Sequence, residues 1–283
     1  MSRIVYVNGE FVPEAEAKIS VFDRGFLFAD GVYEVSSVLN GKLIDNTGHM
    51  LRLHRSLDEL AMKPPASDEA ITAAQEALIA RNQVQEGLVY LQVTRGAADR
   101  DFAYPSADTP SSLVMFTQKK SLIDSPQAKT GIKVIGVDDI RWQRRDIKTV
   151  GLLAPCMGKM QAKAAGADDA WMVEDGYVTE GTSNNAYIIT QDNVLVTRHV
   201  GNQILNGITR RAVLALAEQT DLRIEERPFT LAEAYAAKEA FITSATTFVW
   251  PVVAIDKHPI GDGKPGTFAQ QLRELYIAEA LAS

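Results

Sequence analysis

A polar segment at residues 119–129 divides this sequence of 283 residues into two parts, and both parts contain several strand-like runs. The segment includes Ser121, Ser125 and Pro126, which is the composition of a linker. Helical patterns lie between the strand-like runs on both sides. Strands interspersed with helices indicate an α+β chain or two α/β domains, rather than a doubly wound sheet. We therefore predict a domain at residues 1–118, a linker at 119–129 and a second domain at 130–283.

The first part contains a run from Gly31 to Leu39 that alternates between apolar and polar residues, as a strand does. Alternation places Tyr33 and Ser37 on one face of this strand and Glu34 on the other. A helix is predicted at residues 49–61, with Arg52 near its start and off its apolar stripe. The two strongest turn signals, both Asn-Gly, lie at residues 8–9 and 40–41.

A long loop at residues 95–105 separates two further strand-like runs, at 88–94 and 112–117, which we predict to be neighbouring strands. Loops of this length inside a compact domain tend to be functional. This loop carries Arg100 and Phe102. We therefore treat the loop as a candidate part of a binding site.

The overall charge and the absence of common motifs exclude several classes of function. The net charge is −7 and no basic arm exists, so nucleic acid is not an expected partner. No window contains about 20 consecutive apolar residues, so we expect no membrane span. The 4 histidines are dispersed, and neither a metal-binding motif nor a glycine-rich nucleotide-binding motif occurs. We predict no metal site.

The location of the protein is predicted from its cysteine content and its N-terminus. The single cysteine, Cys156, has no partner for an intramolecular disulfide, which fits a reducing compartment. The N-terminus lacks the apolar core of a signal peptide. Together these two features predict a cytoplasmic protein.

Lys148 lies at the middle of the chain, at the end of a charged segment that begins at Arg141. An apolar stretch at residues 150–153 follows it, and a helix is predicted at 157–165. Partial desolvation beside such a stretch favours the neutral amine of a lysine, which is a nucleophile. Amines of this kind form Schiff bases with aldehydes, including pyridoxal phosphate (PLP). Taken alone, the pattern is weak and is more often that of an ordinary surface lysine.

Other residues offer the remaining groups that PLP requires. A phosphate is bound by backbone N–H groups at a helix N-terminus, by hydroxyls and by a cation. Ile208 and Thr209 stand at a predicted helix start with Thr209 as the cap, Thr246 lies in a Ser/Thr-rich turn, and Arg52 offers the charge. Glu180 is a candidate for keeping a pyridine nitrogen protonated. Each residue also has an ordinary structural interpretation, and only the combination describes a PLP site.

The motifs, in their order along the chain, resemble the class IV (fold-type IV) PLP-dependent aminotransferases, and most closely the D-amino-acid transaminases. The resemblance covers residues 4–277. The motifs that carry it are Asp23-Arg24-Gly25, Asp30-Gly31-Val32-Tyr33-Glu34-Val35, His49-x-x-Arg52-Leu53, Gln92-Val93-Thr94-Arg95-Gly96, Asp139-Ile140-Arg141-Trp142, Asp146-Ile147-Lys148, Val178-Thr179-Glu180-Gly181-Thr182-Ser183-Asn184 and Gly207-Ile208-Thr209-Arg210. It implies a homodimer whose subunits have a small N-terminal α/β domain and a larger C-terminal pseudo-barrel domain.

The resemblance also implies a role for each matching residue. Lys148 would be the Schiff-base lysine and the acid–base catalyst. Glu180 would pair with the pyridine nitrogen of PLP, and Tyr33 would line the pocket near Lys148. Arg100 would bind the substrate carboxylate in the site of the partner subunit. The residues implied at the phosphate are Arg52, Ile208, Thr209 and Thr246.

Two positions depart from the typical D-amino-acid transaminase. Phe102 stands where a histidine is usual, and Ser37 stands where a basic residue is usual. A serine at the latter position is similar to what (R)-selective amine transaminases have. With fewer cations near the carboxylate, Arg141 is a candidate to compensate, as are its neighbours Arg144 and Arg145. We therefore include Ser37, Phe102 and Arg141 among the expected substrate-binding residues.

The implied reaction is transamination of a D-amino acid with a 2-oxo acid, of the type that converts D-alanine and 2-oxoglutarate to pyruvate and D-glutamate. Some tolerance for (R)-amines is expected. A branched-chain L-amino-acid aminotransferase is an alternative, although its usual Phe-Glu-Gly-Ile-Arg stretch is replaced here by residues 33–37. A second alternative is 4-amino-4-deoxychorismate lyase, which the strand at Gly31 fits poorly. A non-catalytic PLP-binding protein is a third, and it does not account for Lys148, Glu180 and Arg52 together.

Overall fold

The computed structural model describes residues 2–282, and the chain divides into two compact units. The N-terminal unit is Met1–Ser121 together with Ile147–Gly151, and the C-terminal unit is Leu122–Asp146 together with Leu152–Ser283. The segment predicted as a linker therefore contains the first boundary between the units. Lys148 belongs to the N-terminal unit, although strands of the C-terminal unit precede and follow it in sequence. Within residues 2–282, no helix is long and apolar enough to cross a membrane.

The N-terminal unit is a six-stranded antiparallel sheet with two longer helices. Its elements are β1 (Ile4–Val7), β2 (Glu10–Pro13), α1 (Arg24–Phe28), β3 (Gly31–Leu39), β4 (Lys42–Leu43), α2 (Asn46–Glu59), α3 (Asp68–Arg81), β5 (Glu86–Thr94) and β6 (Ser112–Lys119). The strand order is β2-β1-β6-β5-β3-β4, so the prediction that β5 and β6 are neighbours is confirmed. Helices α2 and α3 bury Leu53, Leu57 and Leu78 against the sheet residues Leu91 and Met115. This burial of apolar surface is the main source of the unit's stability.

The C-terminal unit is built on a nine-stranded mixed sheet. Its elements are α4 (Pro126–Thr130), β7 (Ile132–Asp138), α5 (Leu153–Ala164), β8 (Asp169–Glu174), β9 (Tyr177–Gly181), β10 (Asn185–Ile189), β11 (Val194–Thr197), α6 (Ile208–Ala217), β12 (Arg223–Glu226), α7 (Leu231–Tyr235), β13 (Glu239–Ser244), β14 (Phe248–Ile255), β15 (His258–Pro259) and α8 (Thr267–Ala282). The strand order is β12-β11-β10-β13-β14-β7-β8-β9, and β15 pairs with β14. Pairing is parallel at β14–β7, β7–β8 and β11–β12. The α+β class with two sheets agrees with the prediction.

The sheet of the C-terminal unit must curl strongly, because of how β9 connects to β10. In a flat sheet, β9 at the edge and β10 near the other edge would lie about 24 Å apart, at a spacing of roughly 4.8 Å per strand. Residues 182–184 alone join the two strands, and such a link spans at most about 15 Å. The N–H of Gly181 also bonds back to the carbonyl of Asn184 (2.8 Å). The sheet therefore bends into a half-barrel, as the pseudo-barrel prediction requires.

Candidate active site

Lys148 is fixed against the edge of β3, which β4 covers only at its far end. The carbonyl of Lys148 accepts a hydrogen bond from the N–H of Tyr33 (3.0 Å), and the N–H of Val150 donates to the carbonyl of Gly31 (3.0 Å). Ile147 is 3% exposed and belongs to the core of the N-terminal unit. The backbone at Lys148 is therefore held both by sheet hydrogen bonds and by packing.

The amine of Lys148 lies over the ring of Tyr33, with Nζ 4.2 Å from the ring centroid. Tyr33 stacks on Tyr90 of β5 (5.5 Å between centroids), and Tyr90 stacks on Phe116 of β6 (4.7 Å). This cross-strand stack fixes the Tyr33 ring. Within residues 2–282 the amine makes no hydrogen bond and no ion pair. A half-buried amine without a carboxylate partner is suited to form a bond with an aldehyde.

Glu34, on the other face of β3, holds Arg52 of α2. Nε of Arg52 donates to Oε1 of Glu34 (2.8 Å) and Nη2 donates to Oε2 (2.7 Å). Nδ1 of His49 lies 2.7 Å from the same Oε2. Burial by itself would raise the pKa of Glu34, but Arg52 and His49 outweigh burial and lower the pKa to about 2. Arg52 is therefore buried rather than on the solvent side of α2, because an ionised carboxylate neutralises it.

Glu180 lies near the end of β9 and is 4% exposed. Its Oε1 accepts a hydrogen bond from Nη1 of Arg141 (2.5 Å), and its Oε2 accepts from Nδ2 of Asn185 and from the N–H of Leu205 (both 3.1 Å). Burial raises the pKa of Glu180, and the guanidinium of Arg141 offsets part of that rise. A carboxylate has about four acceptor sites, so these three donors leave room for one more. A ring N–H is a donor that fits this arrangement.

Arg141 is the first of a series of paired charges that continues through Asp139 and Arg145 to Glu174. Asp139 accepts hydrogen bonds from Nε (2.9 Å) and Nη2 (2.7 Å) of Arg141. Nε of Arg145 forms an ion pair with Asp139 at 3.5 Å, and Nη1 and Nη2 of Arg145 donate to Glu174 at 2.8 and 2.6 Å. Arg141 is therefore enclosed between two carboxylates, those of Glu180 and Asp139. Both charges fix its orientation.

The start of α6 lies beside Glu180 within the C-terminal unit. The helix begins at Ile208 with Gly207 as its N-cap, so the prediction that Thr209 caps the helix was wrong. Asn185 explains why a glycine stands at the cap position. A Cβ on residue 207 would lie 2.2 Å from Oδ1 of Asn185, so a residue with a side chain does not fit there without a shift of Asn185. The first N–H groups of a helix have no partner inside the helix. The hydroxyl of Thr209, which is 3% exposed, has no hydrogen-bond partner in residues 2–282.

Thr246 lies in the turn that follows β13, at the same end of the sheet as Asn185. Strand β10 pairs with β13 so that Asn185 stands opposite Thr243. The turn is closed by a hydrogen bond between the hydroxyls of Ser244 and Thr247 (2.9 Å). The C-terminal unit therefore brings Glu180, the start of α6 and the turn of Thr246 together at one end of its sheet. Within the described chain, the Thr246 hydroxyl makes no hydrogen bond.

The loop of Arg100 lies at the surface of the N-terminal unit. The guanidinium of Arg100 is 5.2 Å from the ring centroid of Phe28 and 5.5 Å from that of Phe102. Phe102, at the position where a histidine is usual, is 79% exposed. Ser37 lies near the far end of β3, opposite Leu88, and is 1% exposed. In the described residues, Arg100 has no carboxylate partner.

The structure distinguishes Arg100 from Arg141, Arg144 and Arg145. These three arginines were the candidates to compensate for the cations that are absent at positions 37 and 102. Arg141 is engaged by Asp139 and Glu180, and Arg145 by Glu174. Arg144 pairs with Asp146, with Nε 3.0 Å from Oδ1. Of these four, Arg100 alone lacks an ion pair among residues 2–282. It is therefore the one whose charge is not already neutralised by the protein.

Several supporting residues were missed by the sequence analysis. Glu34, Asp139 and Asn185 each hold a predicted site residue in place by hydrogen bonds. Glu34 is the one charged residue of β3, and a carboxylate inside a strand is the signal that could have identified it. Asn185 opens the apolar run of β10, where an amide has no packing role. Asp139 gave no such signal, because it lies in a charged segment that resembles a surface loop.

Comparison with known proteins identifies the family. A family model described as amino-transferase class IV matches residues 31–255. The chain belongs to the class IV aminotransferases. This membership confirms the predicted enzyme class and its cofactor, PLP. D-Alanine aminotransferases are similar to this aminotransferase along nearly its whole length: the one from Staphylococcus aureus strain MSSA476 is 38% identical over 272 residues (95% of each chain), and the one from Bacillus licheniformis is 40% identical over 271 residues (95% of this chain and 94% of the relative).

Solved structures of similar fold agree with this assignment. The T.th. branched-chain amino acid aminotransferase with pyridoxamine 5'-phosphate has a TM-score of 0.90 to this aminotransferase at 26% identity, covering 99% of this chain and 94% of that one. The branched-chain enzyme of Escherichia coli has a TM-score of 0.87 at 21% identity, covering 99% and 95%. The second similarity concerns the fold alone. Both confirm the predicted fold-type IV architecture.

Proposed function

We propose that this class IV aminotransferase transfers the amino group of a D-amino acid to a 2-oxo acid, with D-alanine and 2-oxoglutarate as the reference pair. The reaction type rests on one observation, the amine of Lys148, which faces Tyr33 without a carboxylate partner. The substrate class rests on sequence similarity. The D-alanine aminotransferases share 38–40% identity with this chain, whereas the branched-chain enzymes of similar structure share 20–26%.

The residues assigned to the cofactor carry groups that match its chemistry. PLP supplies an electron sink for the bond that breaks at the α-carbon of the substrate. Nζ of Lys148 would hold the aldehyde carbon, and the remaining acceptor site of Glu180 would hold the ring nitrogen. The amides and the hydroxyl at the start of α6 have the donors that a phosphate requires. The groups assigned to the phosphate are the N–H of Ile208, the N–H and hydroxyl of Thr209, the hydroxyl of Thr246 and the guanidinium of Arg52.

Lys148 and Tyr33 carry the proton transfer in this proposal. Nζ of Lys148 takes the proton from the α-carbon of the amino acid and holds it as an ammonium group. The face of the Tyr33 ring, 4.2 Å away, stabilises that ammonium by a cation–π interaction. The sheet hydrogen bonds around Lys148 keep its backbone fixed while the side chain moves. The arrangement therefore provides a positioned acid–base group.

Arg100 binds the α-carboxylate in this proposal, and Arg141 does not. Arg141 instead favours the ionised form of Glu180 and fixes its orientation, while Asp139 holds Arg141 from the other side. Phe102 adds an apolar surface beside Arg100 where a histidine is usual, and Ser37 replaces a basic residue. With a single arginine for the carboxylate, the energetic advantage of amino acids over (R)-amines is smaller. We therefore expect slow turnover of (R)-amines.

We also propose that the enzyme is a cytoplasmic homodimer. In each unit, several exposed large apolar side chains lie close together along the chain, and contiguous exposed apolar patches mark interaction sites. Those of the N-terminal unit include Ile19, Val21, Phe22, Phe26, Phe102 and Tyr104. On α5 of the C-terminal unit, Leu153, Met157 and Met160 share one helical face. The exposed thiol of Cys156 fits a reducing compartment.

The test is a comparison of amino donors on the purified holoenzyme. D-Alanine and L-leucine are supplied separately with 2-oxoglutarate, and the 2-oxo acid products are measured together with the visible absorption of the bound cofactor. We expect D-alanine to change the absorption and to yield pyruvate and D-glutamate. Turnover of L-leucine alone would instead identify a branched-chain aminotransferase. Pyruvate release from aminodeoxychorismate without any 2-oxo acid would identify the lyase.

A Lys148→Ala variant is the control for the role of the amine. It is expected to fold, because the backbone of residue 148 rather than its side chain makes the sheet hydrogen bonds. The variant should lose transamination with the donor that the wild-type enzyme uses. If the variant keeps its transaminase activity, the proposed catalytic role of Lys148 is wrong.

A further inference from the structure

Three motifs of the N-terminal unit have no part in the proposed reaction: Asp23-Arg24-Gly25, Asp30-Gly31 and Thr94-Arg95-Gly96. We propose that Arg24, Asp30 and Arg95 form a buried clamp that holds the loop at residues 97–105, and that Arg24 is the positioning residue for Arg100. The inference rests on the proposed function, because the carboxylate role of Arg100 gives the clamp its purpose.

The centre of the clamp is one carboxylate oxygen shared by two arginines. Oδ2 of Asp30 accepts hydrogen bonds from Nε of Arg24 (2.8 Å) and from Nε of Arg95 (2.7 Å). Arg24 is 3% exposed and Arg95 is 7% exposed. Buried charges persist only when they are paired and hydrogen-bonded. The two guanidinium groups are therefore confined to one orientation each.

Arg24 connects the clamp to the backbone that follows Arg100. Its Nη1 donates to the carbonyl of Asp101 (2.7 Å) and to the carbonyl of Ala103 (3.3 Å). One side chain thus joins the carboxylate of Asp30, which is 10% exposed, to two carbonyls of a surface loop. The fork of a guanidinium can make these contacts together, whereas the single ammonium group of a lysine cannot span them.

Arg95 fixes the later part of the loop. Its Nη2 and Nη1 donate to the carbonyls of Leu60 (2.8 Å) and Ala61 (3.2 Å), at the end of α2. The ring of Tyr104 lies over the Arg95 guanidinium, at 3.6 Å from the centroid. The loop residue Tyr104 is therefore attached to a buried cation that is itself tied to a helix.

The start of the loop is attached through the first motif. Asp23 forms a β-bridge with Ala97, and its Oδ2 accepts hydrogen bonds from the hydroxyls of Thr94 (2.9 Å) and Ser112 (2.7 Å). The N–H of Ala98 donates to the carbonyl of Phe22 (3.2 Å). The loop is thus held at residues 97–98 and again at 101–104.

Arg100 lies between these two attachments, and its side chain is exposed. The rings of Phe28 and Phe102, 5.6 Å apart, stand beside its guanidinium. A cation that is held in place and has no counterion among residues 2–282 is a preorganised receptor for a carboxylate. Preorganisation lowers the entropy lost when the substrate binds. Loosening the clamp should therefore weaken substrate binding rather than slow proton transfer.

The first test is Arg24→Lys, measured with whichever amino acid the wild-type enzyme turns over. We expect KM for the amino acid to rise about tenfold, with kcat within roughly threefold of wild type. In an Arg100→Ala background the same substitution should leave KM unchanged, because the clamp acts through Arg100. A KM effect of equal size in both backgrounds would overturn the proposal.

The second test does not depend on catalysis. Trypsin cleavage after Arg100 is followed by mass spectrometry on the resting holoenzyme, and Arg24→Lys should be cut about tenfold faster than wild type if the loop is released. Tyr104→Leu, which changes an exposed residue, serves as a second variant if Arg24→Lys does not fold, and faster cleavage is expected there as well. Unchanged cleavage in both variants would refute the clamp. Faster cleavage in an enzyme that fails to use D-amino acids would leave the clamp intact and refute only the proposed function.

Discussion

At the scale of single residues, paired charges explain which arginines can lie inside this aminotransferase. Arg52 and Arg141 are buried against Glu34 and Glu180, because an unpaired guanidinium would not persist there. The same pairing neutralises each of them. Arg100 is exposed and needs no internal counterion, so its charge remains for a ligand.

Glu34 makes the stability of the enzyme depend on pH. Its pKa is lowered from 4.5 to about 2, because Arg52 and His49 favour the ionised form. A lowered pKa contributes stability above the unfolded value, and that contribution is lost as the pH falls from 4.5 towards 2. We expect the free energy of unfolding to fall by about 2 kcal/mol more between pH 7 and pH 3 in wild type than in Glu34→Gln. Urea unfolding at both pH values measures the difference.

The matched control for this prediction is Glu14→Gln. Glu14 also pairs with an arginine, Arg3, but both side chains are more than two-fifths exposed. An exposed pair contributes little, so this variant should keep the wild-type dependence on pH. Equal pH dependence in wild type and Glu34→Gln would mean that Glu34 is not the group that titrates.

At the scale of elements, the proposed cofactor-binding end of the C-terminal unit depends on how closely β10 approaches the start of α6. Asn185 opens β10, and its amide donates to Glu180 and to the carbonyl of Leu205 (2.9 Å). Gly207 allows α6 to begin against that same side chain. One side-chain amide thus connects the carboxylate of Glu180 to the segment that leads into α6.

Gly207→Ala should disrupt this end of the sheet. Its φ is −63°, so the backbone tolerates alanine, but the new Cβ would lie 2.2 Å from Oδ1 of Asn185. Asn185 would have to move and release Glu180, at a cost of about 1–3 kcal/mol for overpacking. Thermal unfolding should occur at lower temperature, and titration of the apoenzyme with PLP should show weaker binding. Gly158→Ala is the control, because its Cβ would make ordinary contacts from 3.5 Å outward.

At the scale of the whole molecule, the exposed apolar side chains favour association of two chains. Phe26 is 75% exposed on α1, next to the clamp that holds the loop of Arg100. Association through this region would remove these rings from water and would carry Arg100 to a second chain. The same surface would then serve both assembly and substrate binding.

Phe26→Asp should weaken the proposed dimer. A carboxylate in an apolar interface is costly, so the variant should dissociate at concentrations where wild type is dimeric. Sedimentation velocity across a dilution series measures the shift. Leu281→Asp, which alters an exposed leucine on α8, is the matched control and should sediment as wild type does. A wild-type enzyme that is monomeric at micromolar concentration would contradict the prediction.

Sequence alone was sufficient for the family and for the α+β class of the fold. The family was recognised from the order of its motifs along the chain, and this order is visible without the structure. Three of these motifs contain Arg52, Lys148 and Glu180. The strands were predictable for a similar reason, since alternation in β3 and the apolar run of β10 are local patterns. The cap of α6 was not, because the choice of Gly207 over Thr209 depends on Asn185, 22 residues earlier in the chain.

Only the tertiary structure decided which partner each charged residue has. The sequence left Arg141, Arg144 and Arg145 as candidates for the substrate carboxylate, and their ion pairs distinguish them from Arg100. Arg24 and Arg95 are 71 residues apart in the chain and meet at Asp30 because α1, β3 and β5 bring them together. Charge pairing acts over a few ångströms in space and has no period along a sequence. Hydrophobic alternation, in contrast, is imposed by the backbone geometry of each strand and can therefore be read from the sequence directly.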